Sequence, residues 1–218
     1  MIPPEIRQRW DKAVAGREAQ VEEAASRFGD LVRLMADLRG AEGCPWDREQ
    51  SLASLRQYVR EEADEVCHAI DRILDLEAAA RSKAGQPAAD PAPPDGVDKA
   101  RTKSKGHTIE HHPHQPDFDQ LASASGAPLP ELAPEQEEQR LALYCALQDE
   151  LGDLLLQSVF MGDILHSMGL GGVETSAAAI VAKLIRRHPH VYGQTGAADS
   201  AEVLANWERI KERERSEG

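Results

Sequence analysis

Arg60-Glu61-Glu62-Ala63-Asp64-Glu65-Val66 is the stretch on which the fold turns, together with a second acidic run, Asp149-Glu150-Leu151-Gly152-Asp153. Both runs mix carboxylates with apolar residues at helical spacing. Leu55, Val59, Val66, Ile70 and Ile73 bracket the first, and Leu147, Leu151, Leu154 and Leu155 bracket the second. Positions three and four apart share one face of a helix, with Cβ atoms roughly 5–6 Å apart. Glu61 and Glu65 therefore align, as do Glu62 with Glu65 and Glu150 with Asp153. A solvated face is the ordinary fate of an acidic run, but carboxylates at the margin of a core-facing stripe are rarely left unpaired. Four or five of them in a shared space repel one another unless a cation lies between. Oxygen ligands favour hard cations, and magnesium held by a few carboxylates plus substrate phosphates is the common arrangement.

Further blocks make the pattern recognisable. Glu61-Glu62-x-x-Glu65 followed by Glu150-x-x-Asp153 resembles the EExxE…ExxD signature of the all-α nucleoside triphosphate pyrophosphohydrolases, and the MazG family is the closer match. Gly43-Cys44-Pro45-Trp46-Asp47-Arg48-Glu49-Gln50 is similar to that family's GCPWDxEQ stretch, and Glu150 to Leu155 to its ELGDLL. Lys183 to Val191 resembles KLxRRHPHV, and Trp207-Glu208-Arg209-Ile210-Lys211 resembles WExxK. The resemblance covers residues 31–78 and 140–213. It implies an all-α, four-helix-bundle-like MazG fold, here with an extra N-terminal helix and a long disordered insertion.

Composition agrees with such a fold. Of 218 residues, 41% are hydrophobic but only 4% aromatic, which suits an Ala- and Leu-rich helical core. The net charge of -13 disfavours a nucleic-acid backbone or an anionic membrane as partner. No apolar run reaches the roughly 18 residues of a membrane span. Met1-Ile2-Pro3-Pro4-Glu5 lacks the basic-then-apolar layout of a signal peptide, so a cytoplasmic protein is expected. Cys44, Cys67 and Cys145 are odd in number and widely spaced, and are expected to be reduced, small buried hydrophobes. A CxxC pair, a Gly-rich phosphate loop and a readable Ser/His/Asp pattern are all missing from the sequence.

Along the chain, residues 4–39 read as helical, started by Pro3 and Pro4, with Val21, Ala24, Phe28, Leu31, Met35 and Leu38 at helical steps and Gly29 as a candidate break. Residues 1–30 form an N-terminal extension. Gly43–Gln50 reads as a turn, after which Asp47 or Ser51 caps the next helix. The first signature helix spans 51–79 and the second 135–168, terminated by Gly169–Gly172. A third helix covers 173–187 with Ala177, Ile180, Val181 and Leu184 as its buried stripe, and a last one covers 200–213. Segments 31–79 and 135–213 together make a single catalytic domain.

Residues 80–134 differ in character. Nine of the thirteen prolines lie there, among Ala, Gly, Ser and Asp, so the segment reads as a disordered insertion. It departs from the short connection usual in the family, but lengthening a loop costs only about 0.6 kcal/mol per doubling. His107, His111, His112 and His114 crowd within it, a composition that binds transition metals adventitiously more readily than as a built site. For His188-Pro189-His190 the expectation is a helix exit with both histidines hydrogen-bonded to backbone.

The resemblance implies hydrolysis of a nucleoside triphosphate between its α and β phosphates, giving monophosphate and pyrophosphate. Glu62, Glu65, Glu150 and Asp153 are then the ligands of magnesium, with manganese as a substitute. Glu61 orients or deprotonates the attacking water. Lys183, Arg186 and Arg187 neutralise phosphate charge, Arg through its planar fork and Lys as a point charge. Trp46 and Trp207 either plug the bundle or wall the nucleotide, and are assigned to substrate binding. A homodimer or higher assembly is implied. The alternatives are a specialised dCTP, dUTP or phosphoribosyl-ATP pyrophosphohydrolase, a silent nucleotide-binding regulatory module, and metal storage by the His-rich insertion.

Overall fold

The computed structural model describes residues 2–83, 130–194, 196–197 and 199–217. Among these residues the chain is all helix, with no strand. The elements are α1 (Pro4–Ala13), α2 (Glu18–Leu38), α3 (Pro45–Glu49), α4 (Leu52–Lys83), α5 (Pro134–Ser167), α6 (Val173–Arg187), α7 (Pro189–Tyr192) and α8 (Ser200–Glu217). The His107–His114 cluster and most of the insertion lie outside the described residues. Two compact units are distinguishable, one of residues 1–55 and 156–218, the other of residues 56–155.

In the first unit Met35, Leu55 and Val159 are fully buried, with Phe160 and Ile164 close behind. Arg39 organises the polar side of this core. Its Nε lies 2.7 Å from Asp163, a second guanidinium nitrogen donates to the Asp47 carbonyl, and the group sits 5.2 Å over the Phe160 ring. One side chain thereby joins the end of α2 to α3 and α5. Gly43 makes the turn between α2 and α3 feasible, because a Cβ there would come within 2.3 Å of the Leu38 and Asp37 carbonyl oxygens. The Gly43–Gln50 segment, expected as a turn, contains the short helix α3, in which Pro45 holds the first position and lacks only an N–H that a helix start leaves unused.

One expectation for the N-terminal half is corrected. Gly29 does not interrupt α2, which runs unbroken across it. The break falls at Gly16, whose φ of +83° lies in the left-handed region that favours glycine. Of the two candidate caps, Ser51 is the one used. Its hydroxyl accepts from the Ser54 N–H, and the Ser54 hydroxyl accepts from the Ser51 N–H in return. Helix α1 buries no residue but is tethered through Trp10 Nε1, which donates to the Tyr192 hydroxyl at 3.1 Å.

In the second unit Ala69, Ile73, Ala80 and Leu143 are buried, and Tyr144 of α5 donates to Glu77 of α4. Helix α4 continues to Lys83 with Ala80 buried, so the insertion does not begin at residue 80 as expected. Several residues read as core are exposed within this chain, Ile70 on α4, Leu151 and Leu155 on α5, and Ile180 and Leu184 on α6, and Leu74 of α4 is exposed beside them. The stripe expected to be buried on α6 is therefore not covered, since Ala177 is exposed as well and Val181 only half-buried. The cysteines are also not buried hydrophobes: Cys67 is exposed, and Cys44 and Cys145 are half-buried, all three as free thiols. No helix among the described residues is long and apolar enough to cross a membrane.

Candidate active site

All five signature carboxylates fall in the second unit, where the helical repeat sets their directions. Glu62 and Glu65 occupy one face of α4, three residues apart, and Glu150 projects from α5. One carboxylate oxygen from each of these three lies within 4.8 Å of the others. The grouping thus contains three of the four expected ligands. Asp153 stands outside that distance but within electrostatic reach of Glu62, Glu65 and Glu150. Glu61 is exposed, lies outside the trio but within electrostatic reach of Glu62, and accepts a hydrogen bond from Gln57 Nε2 at 2.7 Å.

The electrostatics match a crowded anionic site. Burial pushes the Glu150 carboxyl up to about 7, helped by its hydrogen bond with Glu65 and by the charges of Glu65, Asp153 and Glu62. Glu62 is raised first by desolvation, then by Asp153, Glu65 and Glu61. Asp153 is raised by desolvation and by Glu65 and Asp149. Among the described residues no Lys, Arg or His forms an ion pair with any of the five. Proximity without a cationic side chain, together with an all-oxygen donor set, fits a hard divalent cation. Without one, like charges at this separation are relieved by a proton, and the raised carboxyls register that.

The residues expected to meet substrate belong to the first unit. Lys183 is exposed on α6. Arg186 and Arg187, at the end of the same helix, are both engaged by Glu214 of α8. Trp46 is half-exposed on α3. Trp207 is partly buried on α8, with the His188 ring 6.2 Å from its own and Lys211 Nζ 4.9 Å from its centroid. Its indole N–H is buried without a hydrogen-bond partner. The two histidines of the helix exit behave differently from expectation. His188 Nδ1 does meet a backbone oxygen, that of Leu184 at 2.7 Å, whereas His190 Nδ1 is buried with no partner.

Glu214, the partner of Arg186 and Arg187, is a residue that sequence reasoning missed. It lies in the alternating run Glu212-Arg213-Glu214-Arg215, where nothing in the spacing singles out which acid faces α6. Gln57 was also missed, although its position four residues before Glu61 was a usable signal.

Comparison with known proteins adds a separate line. The model of the MazG nucleotide pyrophosphohydrolase domain matches residues 50–192. The chain is 31% identical over 188 residues to the nucleoside triphosphate pyrophosphohydrolase of Escherichia coli (strain K12), covering 86% of this chain and 45% of that protein. It is 27% identical over 195 residues to the nucleoside triphosphate pyrophosphohydrolase/pyrophosphatase MazG of Thermotoga maritima, covering 89% of this chain and 48% of that one. Similarity extends to the uncharacterized protein YabN of Bacillus subtilis (strain 168), 27% over 189 residues, covering 87% of this chain and 24% of YabN. The chain spans less than half the length of each of these relatives. No solved structure matches it.

Proposed function

We propose, for a chain that belongs to the MazG nucleotide pyrophosphohydrolase family, that it hydrolyses nucleoside triphosphates between the α and β phosphates, releasing monophosphate and pyrophosphate. The observation that carries this is the trio of Glu62, Glu65 and Glu150 oxygens within 4.8 Å of one another. A triphosphate repels carboxylates, so the two are brought together by a cation that both can coordinate. Glu62, Glu65, Glu150 and Asp153 hold that ion, magnesium by preference with manganese as a substitute. When bound, it polarises phosphoryl oxygens and lowers the pKa of a nearby water. Glu61, exposed beside the ligands and steadied by Gln57, orients the attacking water or accepts its proton.

Lys183, Arg186 and Arg187 neutralise charge on the phosphates and on the departing pyrophosphate. Trp46 and Trp207 supply apolar walls for the base, a role consistent with their partial exposure. Assembly into a homodimer or higher oligomer, in the cytoplasm, completes the reading. The assembly is supported by three pairs of large apolar side chains at helical spacing that one chain leaves exposed: Ile70 and Leu74, Leu151 and Leu155, Ile180 and Leu184.

The test is pyrophosphate release from each of the eight standard NTPs and dNTPs, with magnesium and with EDTA. Magnesium-dependent release from many substrates is expected. Release from one alone narrows the chain to a specialised enzyme, and none, with nucleotide still bound, makes it a regulatory module. Glu62→Gln is expected to abolish turnover with helix content unchanged, and near-normal activity in that variant overturns the ligand assignment.

A further inference from the structure

We propose that Glu214 is an internal counter-ion that occupies the Arg186–Arg187 pair in place of a phosphate and is displaced when a polyphosphate arrives. The proposal rests on the reading of those arginines as phosphate ligands. Each carboxylate oxygen is taken by one guanidinium. Arg186 reaches Oε1 through Nε and a terminal nitrogen, both at 2.6 Å. Arg187 reaches Oε2 through a terminal nitrogen at 2.6 Å and Nε at 3.1 Å. Paired, charge-assisted N–H donors converging on an oxyanion oxygen suit a phosphate oxygen as well as a carboxylate one.

The charges favour exchange. Two guanidinium groups share one carboxylate in direct contact, and with Glu208 near Arg187 but also near Lys211 and Arg215, the cluster keeps a surplus positive charge. A pyrophosphate or triphosphate carries more charge and more acceptor oxygens than Glu214 can offer. The contact is also accessible, since Arg186 is 55% exposed while Arg187 and Glu214 are 19% and 23% exposed. A half-exposed ion pair is a modest interaction, sufficient to hold a side chain and insufficient to exclude a multivalent anion. Glu214 lies in the last turns of α8, seven residues after Trp207, so its release loosens the end of the helix that carries the tryptophan.

The two roles open to Glu214 predict opposite signs. A competitor weakens anion binding and a positioning residue strengthens it. The experiment measures the affinity of inorganic pyrophosphate, with magnesium, for the full chain, for Glu214→Gln and for the double variant Arg186→Gln/Arg187→Gln. Expected is a tightening of about two- to fivefold in Glu214→Gln, the range that removal of a half-exposed ion pair allows, and marked weakening in the double variant. Weaker or unchanged binding in Glu214→Gln, with weakening in the double variant, overturns the counter-ion role while the phosphate reading stands. No change in either variant overturns the phosphate reading itself. Hydrogen exchange of the wild-type chain provides a second arm that needs no substitution. Pyrophosphate is expected to speed exchange around residues 212–216, and slower exchange there overturns the displacement.

Discussion

Replacing Glu150 with Gln is expected to stabilise the metal-free protein at neutral pH and to remove its response to a divalent cation. The Glu150 carboxyl is pushed from 4.5 up to about 7 by burial, by its hydrogen bond with Glu65, and by the charges of Glu65, Asp153 and Glu62. Between those two values the folded chain holds a proton that the unfolded chain has released. The stability contributed by this group is therefore fully present below about pH 4.5 and is lost as pH rises through about 7. A shift of about 2.5 pH units at about 1.36 kcal/mol each sets a ceiling of about 3.4 kcal/mol. Glu150 is only half-buried, and solvent screening reduces the expected effect to about 1 kcal/mol, which is about 2–4 °C in melting temperature for a chain of this size. Glu62 and Asp153 are raised too, and contribute with the same sign. The assay is thermal melting in EDTA at pH 5 and pH 8, then at pH 8 with magnesium. The wild type is expected to lose more stability between pH 5 and pH 8 than Glu150→Gln. Magnesium at a hundredfold excess over its Kd is expected to restore about 2.7 kcal/mol to the wild type and much less to the variant. Equal pH slopes for the two proteins refute the raised carboxyl, and equal stabilisation by magnesium refutes Glu150 as a ligand.

Two other perturbations test different links. Arg39→Ala removes the ion pair with Asp163, the contact with the Asp47 carbonyl and the stacking on Phe160; it is expected to cost about 3 kcal/mol in urea denaturation, because Asp163 is left partly buried and unpaired, and a loss below about 0.5 kcal/mol removes Arg39 from its organising role. Replacing residues 85–130 by a short Gly/Ser linker is expected to leave magnesium-dependent pyrophosphate release within a fewfold of wild type, measured per folded molecule, and loss of release in a variant that melts normally assigns the insertion a part in the reaction.

The long helices were legible because a 3.6-residue period repeats many times along each, so α4 and α5 start and stop within a few residues of the expected limits. Glycine was harder to read, and the two cases show why. Gly29 sits in a strong apolar pattern, and an interior helical glycine costs only about 1 kcal/mol relative to alanine, which the pattern of α2 outweighs. A Cβ there would meet only the flexible tip of Arg33. Gly16 lies where the apolar repeat lapses, and its positive φ ends the continuity. Both residues look alike in a list of letters. They differ in whether the flanking pattern persists through them.

The same distinction governs the candidate site. Glu62, Glu65 and Glu150 could be anticipated together because two helices with fixed side-chain directions need only one correct pairing to bring them within 4.8 Å. Glu214 could not, because its pairing with Arg186 and Arg187 depends on the rotation of α8 about its own axis, and an alternating acid–base run is nearly indifferent to that rotation. The exposed pairs Ile70 with Leu74, Leu151 with Leu155 and Ile180 with Leu184 make the complementary point. Periodicity determines that a face avoids water, but the identity of the surface that covers it is not encoded in the period. A second copy of the chain satisfies the same pattern as an intramolecular neighbour does, so a stripe read correctly as apolar was assigned incorrectly to the core of one molecule. Local spacing therefore predicts chemistry best where backbone geometry alone fixes the neighbours, and least where a helix is free to turn or a face is free to choose its partner.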